Sequence, residues 1–167
     1  SSPQAKGKAL INLLPLSEGE VITTIMPLSE NEDDWKDLYV MFATSTGGIR
    51  RNNLSDFLRI NKNGKIAMKP SEGESIISVQ TCTDDNDILL ATKKGQCIRF
   101  SVDKVRVFAS RSSTGVRGIK LDKNDSVMAM SILNHVEGET DEFRAYLKAS
   151  SIMIRAKDDT EESIADE

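Results

Sequence analysis

A single histidine, His135, is all the imidazole this 167-residue chain contains. That excludes His-based metal clusters and Ser–His–Asp triads, so the hydroxyl-rich run Ser110 to Thr114 has no base to activate it. The two cysteines, Cys82 and Cys97, show neither metal-ligand spacing nor a disulfide framework, and they are expected to be reduced core thiols. Aromatic residues make up only 5% of the chain. Trp35, Tyr39 and Tyr146 are too scattered to stack single-stranded bases, and the core must be packed by Val, Ile, Leu, Met and Ala. Long apolar runs are missing too: the best, Leu38 to Ala43 and Ile88 to Ala91, have the length of strands and not of membrane spans. The N-terminus lacks the apolar region of a signal peptide, which makes the cytoplasm the expected compartment. It also lacks an initiator methionine, so the chain is expected to be processed or excised from something larger. The adjacent acids Asp33-Asp34 and Asp84-Asp85 are read as solvated, because neighbouring loop side chains point apart. Nothing in the sequence supports a cofactor or catalysis within this segment.

What the chain does have is repetition. Phe42 to Arg51 aligns with Leu90 to Arg99 at an offset of 48 residues, each copy running from an apolar strand through a Gly turn into a strand that ends in Arg. A second element occurs three times, as Leu16-Ser17-Glu18-Gly19-Glu20, Pro70-Ser71-Glu72-Gly73-Glu74 and Leu121-Asp122-Lys123-Asn124-Asp125. Its spacings are 54 and 51 residues, and an aliphatic strand follows each copy. A period of about 40–50 residues with several strands per unit is the mark of propeller-like arrays, in which one unit cannot bury its apolar faces alone.

Charge is segregated along the chain. Its formal net charge is −4, but residues 136–167 hold ten acids against four bases, which leaves eighteen bases against sixteen acids in 1–135. A mildly basic repeat body is followed by an acidic tail. Two parts are therefore expected: 1–135, a partial array of about two units plus flanking strands, and 136–167, an acidic segment that is helical or disordered.

Within the body, strands are predicted over Ala9 to Leu16 and Val21 to Leu28, with Pro15 and Pro27 at sheet edges or strand ends. Hairpins follow at Leu38 to Thr44 with Ile49 to Asn52, and at Ile88 to Thr92 with Gln96 to Phe100. Each is built around a glycine that supplies positive φ. Leu54 to Phe57 and Val102 to Val105 close the two copies. Further strands are predicted over Gly64 to Met68, Ser75 to Thr81, Val116 to Leu121 and Ser126 to Leu133, with His135 at the surface where the last one ends. In the tail, Phe143, Leu147 and Ile154 have helical spacing, which predicts a short helix within Thr140 to Arg155. A decayed third hairpin over Ala149 to Arg155 is the competing reading, and its missing turn glycine counts against it.

These residues resemble the C-terminal domain of the DNA gyrase A subunit. The resemblance rests on Gly7 to Glu20, on Val40 to Phe57 with its Ala43-Thr44 and Gly47 pattern, and on Arg111 to Ile119 with Thr114-Gly115-Val116-Arg117-Gly118. It extends over about residues 5–135. It implies an all-β fold, a β-pinwheel whose four-stranded antiparallel blades exchange strands with their neighbours, here as a partial ring. The implied role is to bind duplex DNA without sequence specificity and wrap it, so that the parent type II topoisomerase introduces negative supercoils. The implied partners are duplex DNA, the gyrase B subunit plus the rest of the gyrase A subunit, with no membrane. Two departures stand out: the family's basic box, Gln-Arg-Arg-Gly-Gly-Lys-Gly, has no counterpart here, and neither does the catalytic tyrosine region.

Phosphate binding requires exposed Lys and Arg near turns and inter-strand loops. The candidates are Lys6 and Lys8 in the leading segment, Arg50, Arg51 and Arg99 after the hairpin turns, Lys93 and Lys94 on the second turn, Lys62 and Lys65 around Gly64, and Arg106, Arg111, Arg117 and Lys120 one repeat later. Gly115 and Gly118 admit two readings, close approach of backbone amides to phosphates or plain turn geometry. A second functional reading is a propeller-type scaffold that binds protein and uses these bases for solubility alone.

Overall fold

The computed structural model describes residues 22–58, 66–110, 112–139 and 141–150, together with Gly7, Ala9, Asn12, Leu14, Leu16, Glu18, Gly19, Glu20, Gly64 and Ile152. It contains two compact units, Ser1–His135 and Val136–Glu167.

In the first unit, alternating apolar residues and a glycine turn produce the hairpin of β1 (Tyr39–Thr44) and β2 (Gly48–Asn53), in which Met41 faces Arg51 and Ala43 faces Ile49. Gly47 takes φ 86° at the turn. The second hairpin repeats this with β4 (Asn86–Thr92) and β5 (Cys97–Ser101), where Leu89 faces Arg99, Ala91 faces Cys97 and Gly95 takes φ 84°. The offset of 48 residues read from the sequence is thus the offset of the strand register. Each hairpin gains a third strand: β3 (Ile76–Cys82) beside β1, and β7 (Val127–Asn134) beside β4. Both pairings shift register at the same place in the repeat, between Ala43 and Thr44 and between Ala91 and Thr92.

The two repeated motifs meet. Ser45 donates its N–H to the Ser75 carbonyl at 2.9 Å, and Lys93 donates to the Ser126 carbonyl at 2.8 Å. The Glu-Gly-Glu-like segment of each repeat is thereby fixed against the hairpin turn of the same repeat. Glu74 accepts from the Thr46 hydroxyl, and Asp125 accepts the Lys94 N–H at 3.0 Å. Burial opposes the charge of Glu74, but hydrogen bonds from Thr44, Thr46 and Ser71 outweigh it and hold the carboxyl below its ordinary pKa of 4.5. Gly19, Gly73 and Asn124, matched by sequence alone, all have positive φ, and Asn124 at 60° is the one such non-glycine among the described residues.

The second repeat also lends a strand to the first. Strand β6 (Val116–Arg117) pairs antiparallel with β2, giving one sheet ordered β3-β1-β2-β6 and another ordered β5-β4-β7. The apolar core lies where the sheets face each other: Met41, Ala43 and Ile49 pack with Ile88, Leu90, Val105, Ile119 and Met130. A smaller cluster of Val40, Phe42, Leu54 and Met68 covers the other face of the first sheet, with Met26, Trp35 and Phe57 against it. Single turns of 3-10 helix at Leu54–Phe57 and Val102–Lys104 close the two hairpins, at the matching positions expected.

Several predicted strands are absent. Residues 22–28 of the strand expected over Val21 to Leu28 carry none, because no described strand offers them a backbone ladder; Ile22, Ile25 and Leu28 are exposed and Met26 reaches the core. The strand expected over Ala9 to Leu16 lies in large part outside the described residues. Gly64 makes an isolated bridge and residues 66–68 form no strand; a side chain holds this backbone instead, as Arg50 donates to the Ala67 carbonyl. Strand β6 stops after Arg117, because the Gly118 N–H turns to the Gly47 carbonyl at 2.8 Å.

In the second unit, residues 141–150 form a helix, α1. The Glu142 carboxylate accepts the Glu139 N–H at 2.9 Å, one half of a capping box. Phe143, Tyr146 and Leu147 of α1 are exposed.

Candidate nucleic-acid interface

Two of the arginines that the sequence offered for phosphate binding are interior groups. Arg50 is fully buried on β2: its Nε donates to the Asn52 side chain at 2.8 Å, Nη1 to the Ser113 carbonyl at 2.8 Å and Nη2 to the Ala67 carbonyl, while its guanidinium lies 5.0 Å from the centre of the Phe42 ring. Burial lowers its pKa from the ordinary value. Arg51 is buried on the opposite face, bonded to Asp84 and stacked 4.3 Å from the Tyr39 ring centre. Neither presents its charge to solvent. The expectation fails because a strand residue next to a turn is exposed only if nothing covers its face: on one face of β2 the backbone at Ala67 and Ser113 meets Arg50, and on the other the second sheet packs on the side where Arg51 bonds Asp84. Asp84 is accordingly no free solvated acid either, since it also accepts from the Tyr39 hydroxyl at 3.2 Å.

Arg99, at the same repeat position as Arg51, is part-exposed with 42% of its side-chain surface open, but it is also committed. Its Nε lies 2.7 Å from Asp87 and its Nη2 donates to the Asn134 carbonyl at 3.2 Å. Asp87 is buried and further bonded at 2.8 Å by Nδ1 of His135, which stands at the surface beyond the end of β7. Burial disfavours the Asp87 charge, but the bonds from His135 and Arg99 together outweigh it and hold the carboxyl below its ordinary value. The cysteines divide as well: Cys82 is buried, which pushes its thiol up to about 11, whereas Cys97 is exposed on β5 and is no core residue.

Three of the exposed bases belong to what crosses the outer edge of β2. From Val105 the chain runs along that edge: Val107 bridges Arg51, the Phe108 N–H donates to the Arg51 carbonyl at 2.8 Å, Asn52 Nδ2 donates to the Phe108 carbonyl, and Val116 and Arg117 complete the pairing with Ile49 and Gly48. Three strand steps of β2, about 10 Å, thus separate the anchor beside Arg106 from that at Arg117. Arg106, Arg117 and Lys120 are exposed on this segment, and none has an acidic partner among the described residues. Lys93 is exposed without one on the second hairpin turn, and beside it Lys94 holds its ammonium 2.7 Å from the Lys123 carbonyl. By contrast Lys36, Arg51, Arg99, Lys104 and Arg144 are all paired with acids. Lys6, Lys8, Lys62, Lys65 and Arg111 lie outside the described residues.

The glycines of this segment are used for packing. A Cβ on Gly115 would sit 2.1 Å from the Ile49 carbonyl oxygen, and φ there is +87°. Its N–H donates to the Ser113 hydroxyl at 3.2 Å, and that of Gly118 to the Gly47 carbonyl at 2.8 Å, so both amides are already engaged. Asn52 and Phe108, which fix the whole segment, were not singled out by sequence. The available signal was the alternation Arg50-Arg51-Asn52, which puts two hydrogen-bonding side chains on one strand face.

This arrangement of repeated hairpins with an exchanged strand has relatives. The family model described as the DNA gyrase C-terminal domain, beta-propeller, matches residues 38–83 and 86–134. The chain belongs to this family. The two matched stretches correspond to the two repeats, and the resemblance drawn from sequence is borne out together with the all-β antiparallel fold. The DNA gyrase A subunit of Granulibacter bethesdensis is 47% identical over 166 residues, covering 98% of this chain and 18% of that protein. The chain therefore spans less than a fifth of that relative's length. Among solved structures, a DNA gyrase A C-terminal domain aligns with TM-score 0.61 and 26% identity, covering 75% of this chain and 40% of the other. The C-terminal domain of a DNA topoisomerase IV aligns with TM-score 0.67 at 19% identity, covering 77% and 39%, and shows the shared fold alone. No helix among the described residues is long and apolar enough to cross a membrane.

Proposed function

We propose that this chain binds duplex DNA through its phosphates, without reading sequence, and helps to wrap it as part of a gyrase A subunit. Its partners in the cytoplasm are a gyrase B subunit together with the remainder of the gyrase A polypeptide, and negative supercoiling is the outcome. One observation carries this reading: Lys93, Arg106, Arg117 and Lys120 are exposed and without acidic partners among the described residues, whereas Lys36, Arg51, Arg99, Lys104 and Arg144 are neutralised in place. Unpaired cations release counterions from DNA when they meet phosphates, and bending the duplex then adds a deformation cost that more such contacts offset.

The measurement is duplex affinity of the full chain across a salt series. Binding should weaken steeply with salt and vary little among duplexes of similar flexibility. Replacing Lys93, Arg117 and Lys120 together by Ala should flatten the slope of log K against log salt by about 3, at about 0.9 per phosphate contact. Lys36→Ala, which removes a base already paired with Asp33, should leave the slope unchanged. No duplex affinity at low salt would overturn the reading.

A second reading, a protein-binding scaffold, is favoured by the open face of the β5-β4-β7 sheet, where Cys97 and Arg99 are exposed, and by Met128 on β7, which is 62% exposed. Binding to an apolar protein surface would depend little on salt, which separates the two readings in the same titration.

A further inference from the structure

Arg106 differs from the other exposed bases in one respect: an aromatic ring holds it. Its guanidinium carbon lies 4.2 Å from the centre of the Phe108 ring. Phe108 is itself fixed, being 6% exposed, with its N–H given to the Arg51 carbonyl at 2.8 Å and its carbonyl accepting from Asn52. Val107, between the two, is bridged to Arg51. Arg50 and Arg51 also stack on rings, but they are buried and hydrogen-bonded inside the fold. Among the described bases, Arg106 alone is stacked, exposed and without a hydrogen-bond or acidic partner.

A guanidinium has two kinds of surface. Its flat faces stack on aromatic rings, and its five N–H donors lie in the plane and point outward from its edge. Stacking on Phe108 uses a face and leaves the edge free. The forked edge donors match a phosphate with two parallel N–H···O bonds. A free arginine loses much rotamer freedom when it forms such a fork, whereas a stacked one has already lost it in the folded protein.

We infer that Phe108 is a positioning residue for phosphate binding: its ring presents the edge of Arg106 outward from the β2 rim, so that this arginine contributes orientation as well as charge. The inference rests on the DNA-binding reading and goes further in assigning a role to a residue that carries no charge.

A double-mutant cycle on the full chain tests it, read as mixed-sequence duplex affinity over a salt series. Phe108→Leu should weaken binding about two- to fivefold, the size of an exposed cation–π contact. It should leave the salt slope unchanged, because no charge is removed. Arg106→Ala should weaken binding and flatten the slope by about 0.9. The double variant should bind no more weakly than Arg106→Ala alone. Arg106→Lys, which keeps the charge and lacks the planar fork, should reproduce the Phe108→Leu loss at unchanged slope; it leaves the Phe108 ring and its packing in place. Wild-type affinity in Arg106→Lys overturns the inference, as does an equal further loss from Phe108→Leu in the Arg106→Ala background, which marks a purely structural ring. If the unaltered chain binds duplex and Arg106→Ala binds as well, only this inference falls. If the unaltered chain does not bind at low salt, the DNA reading falls and takes this inference with it.

Discussion

Arg50 shows how a single residue can carry the architecture of a rim without touching a ligand. Its bonds to the Ser113 and Ala67 carbonyls tie two loops to β2, and Asn52 joins it on the same strand face. Arg50→Ala leaves those part-buried acceptors unmatched, at about 1–3 kcal/mol for each unsatisfied group. The expected loss is on the order of 3 kcal/mol, a large share of the roughly 5–15 kcal/mol that stabilises a typical domain, and it is read as a lower urea midpoint at unchanged m-value. Asp87 gives a pH signature. Its carboxyl titrates below the ordinary 3.8, so the charged, bonded form favours the folded state. That contribution is complete above pH 3.8 and is lost as the pH falls through the depressed folded value. Asp87→Asn should therefore lower the melting temperature at pH 7 and flatten its further decline below about pH 4, as followed by circular dichroism. An acid limb identical to that of the unaltered protein would rule out this role.

At the scale of elements, the hairpins were legible because their cause is local: alternation sets the strand faces, and a glycine sets the turn. The alignment of the third repeat element set Asn124 against Gly19 and Gly73, and the structure gives all three positive φ. What stayed hidden was pairing across repeats. Strand β6 is two residues long, and its partner β2 precedes it by more than sixty residues, so nothing local marks its register. The strand predicted over Val21 to Leu28 failed for the converse reason, having suitable sequence and no described partner. Gly115 and Gly95 make the distinction measurable. Both have φ near +85°, which costs a residue with a side chain about 1–2 kcal/mol. A Cβ at Gly95 meets nothing within 4 Å, while one at Gly115 runs into the Ile49 carbonyl. Gly115→Ala should thus destabilise by about 1–3 kcal/mol more than Gly95→Ala in chemical denaturation, as overpacking does. Equal losses would show that β6 yields readily at its junction with β2.

For the whole molecule, charge distribution gives the remaining test. The acidic residues of 136–167 and duplex DNA carry the same sign, so a chain ending at His135 should bind duplex more tightly at low salt, with the advantage shrinking as salt screens it. Unchanged or weaker binding after the truncation would exclude an inhibitory tail. The sequence by itself determined the repeat, its two hairpins, the left-handed turns and the family, because alternation, glycine placement and spacing are properties of neighbouring residues. Only the tertiary structure decided which cations face solvent. Arg51 and Arg99 occupy one position of the repeat, yet Arg51 is buried and Arg99 is part-exposed. The first sheet has the second packed on that face, and the second sheet has no described segment packed on its own. Burial belongs to whatever lies opposite a residue, and a repeat read along the chain cannot say what that is.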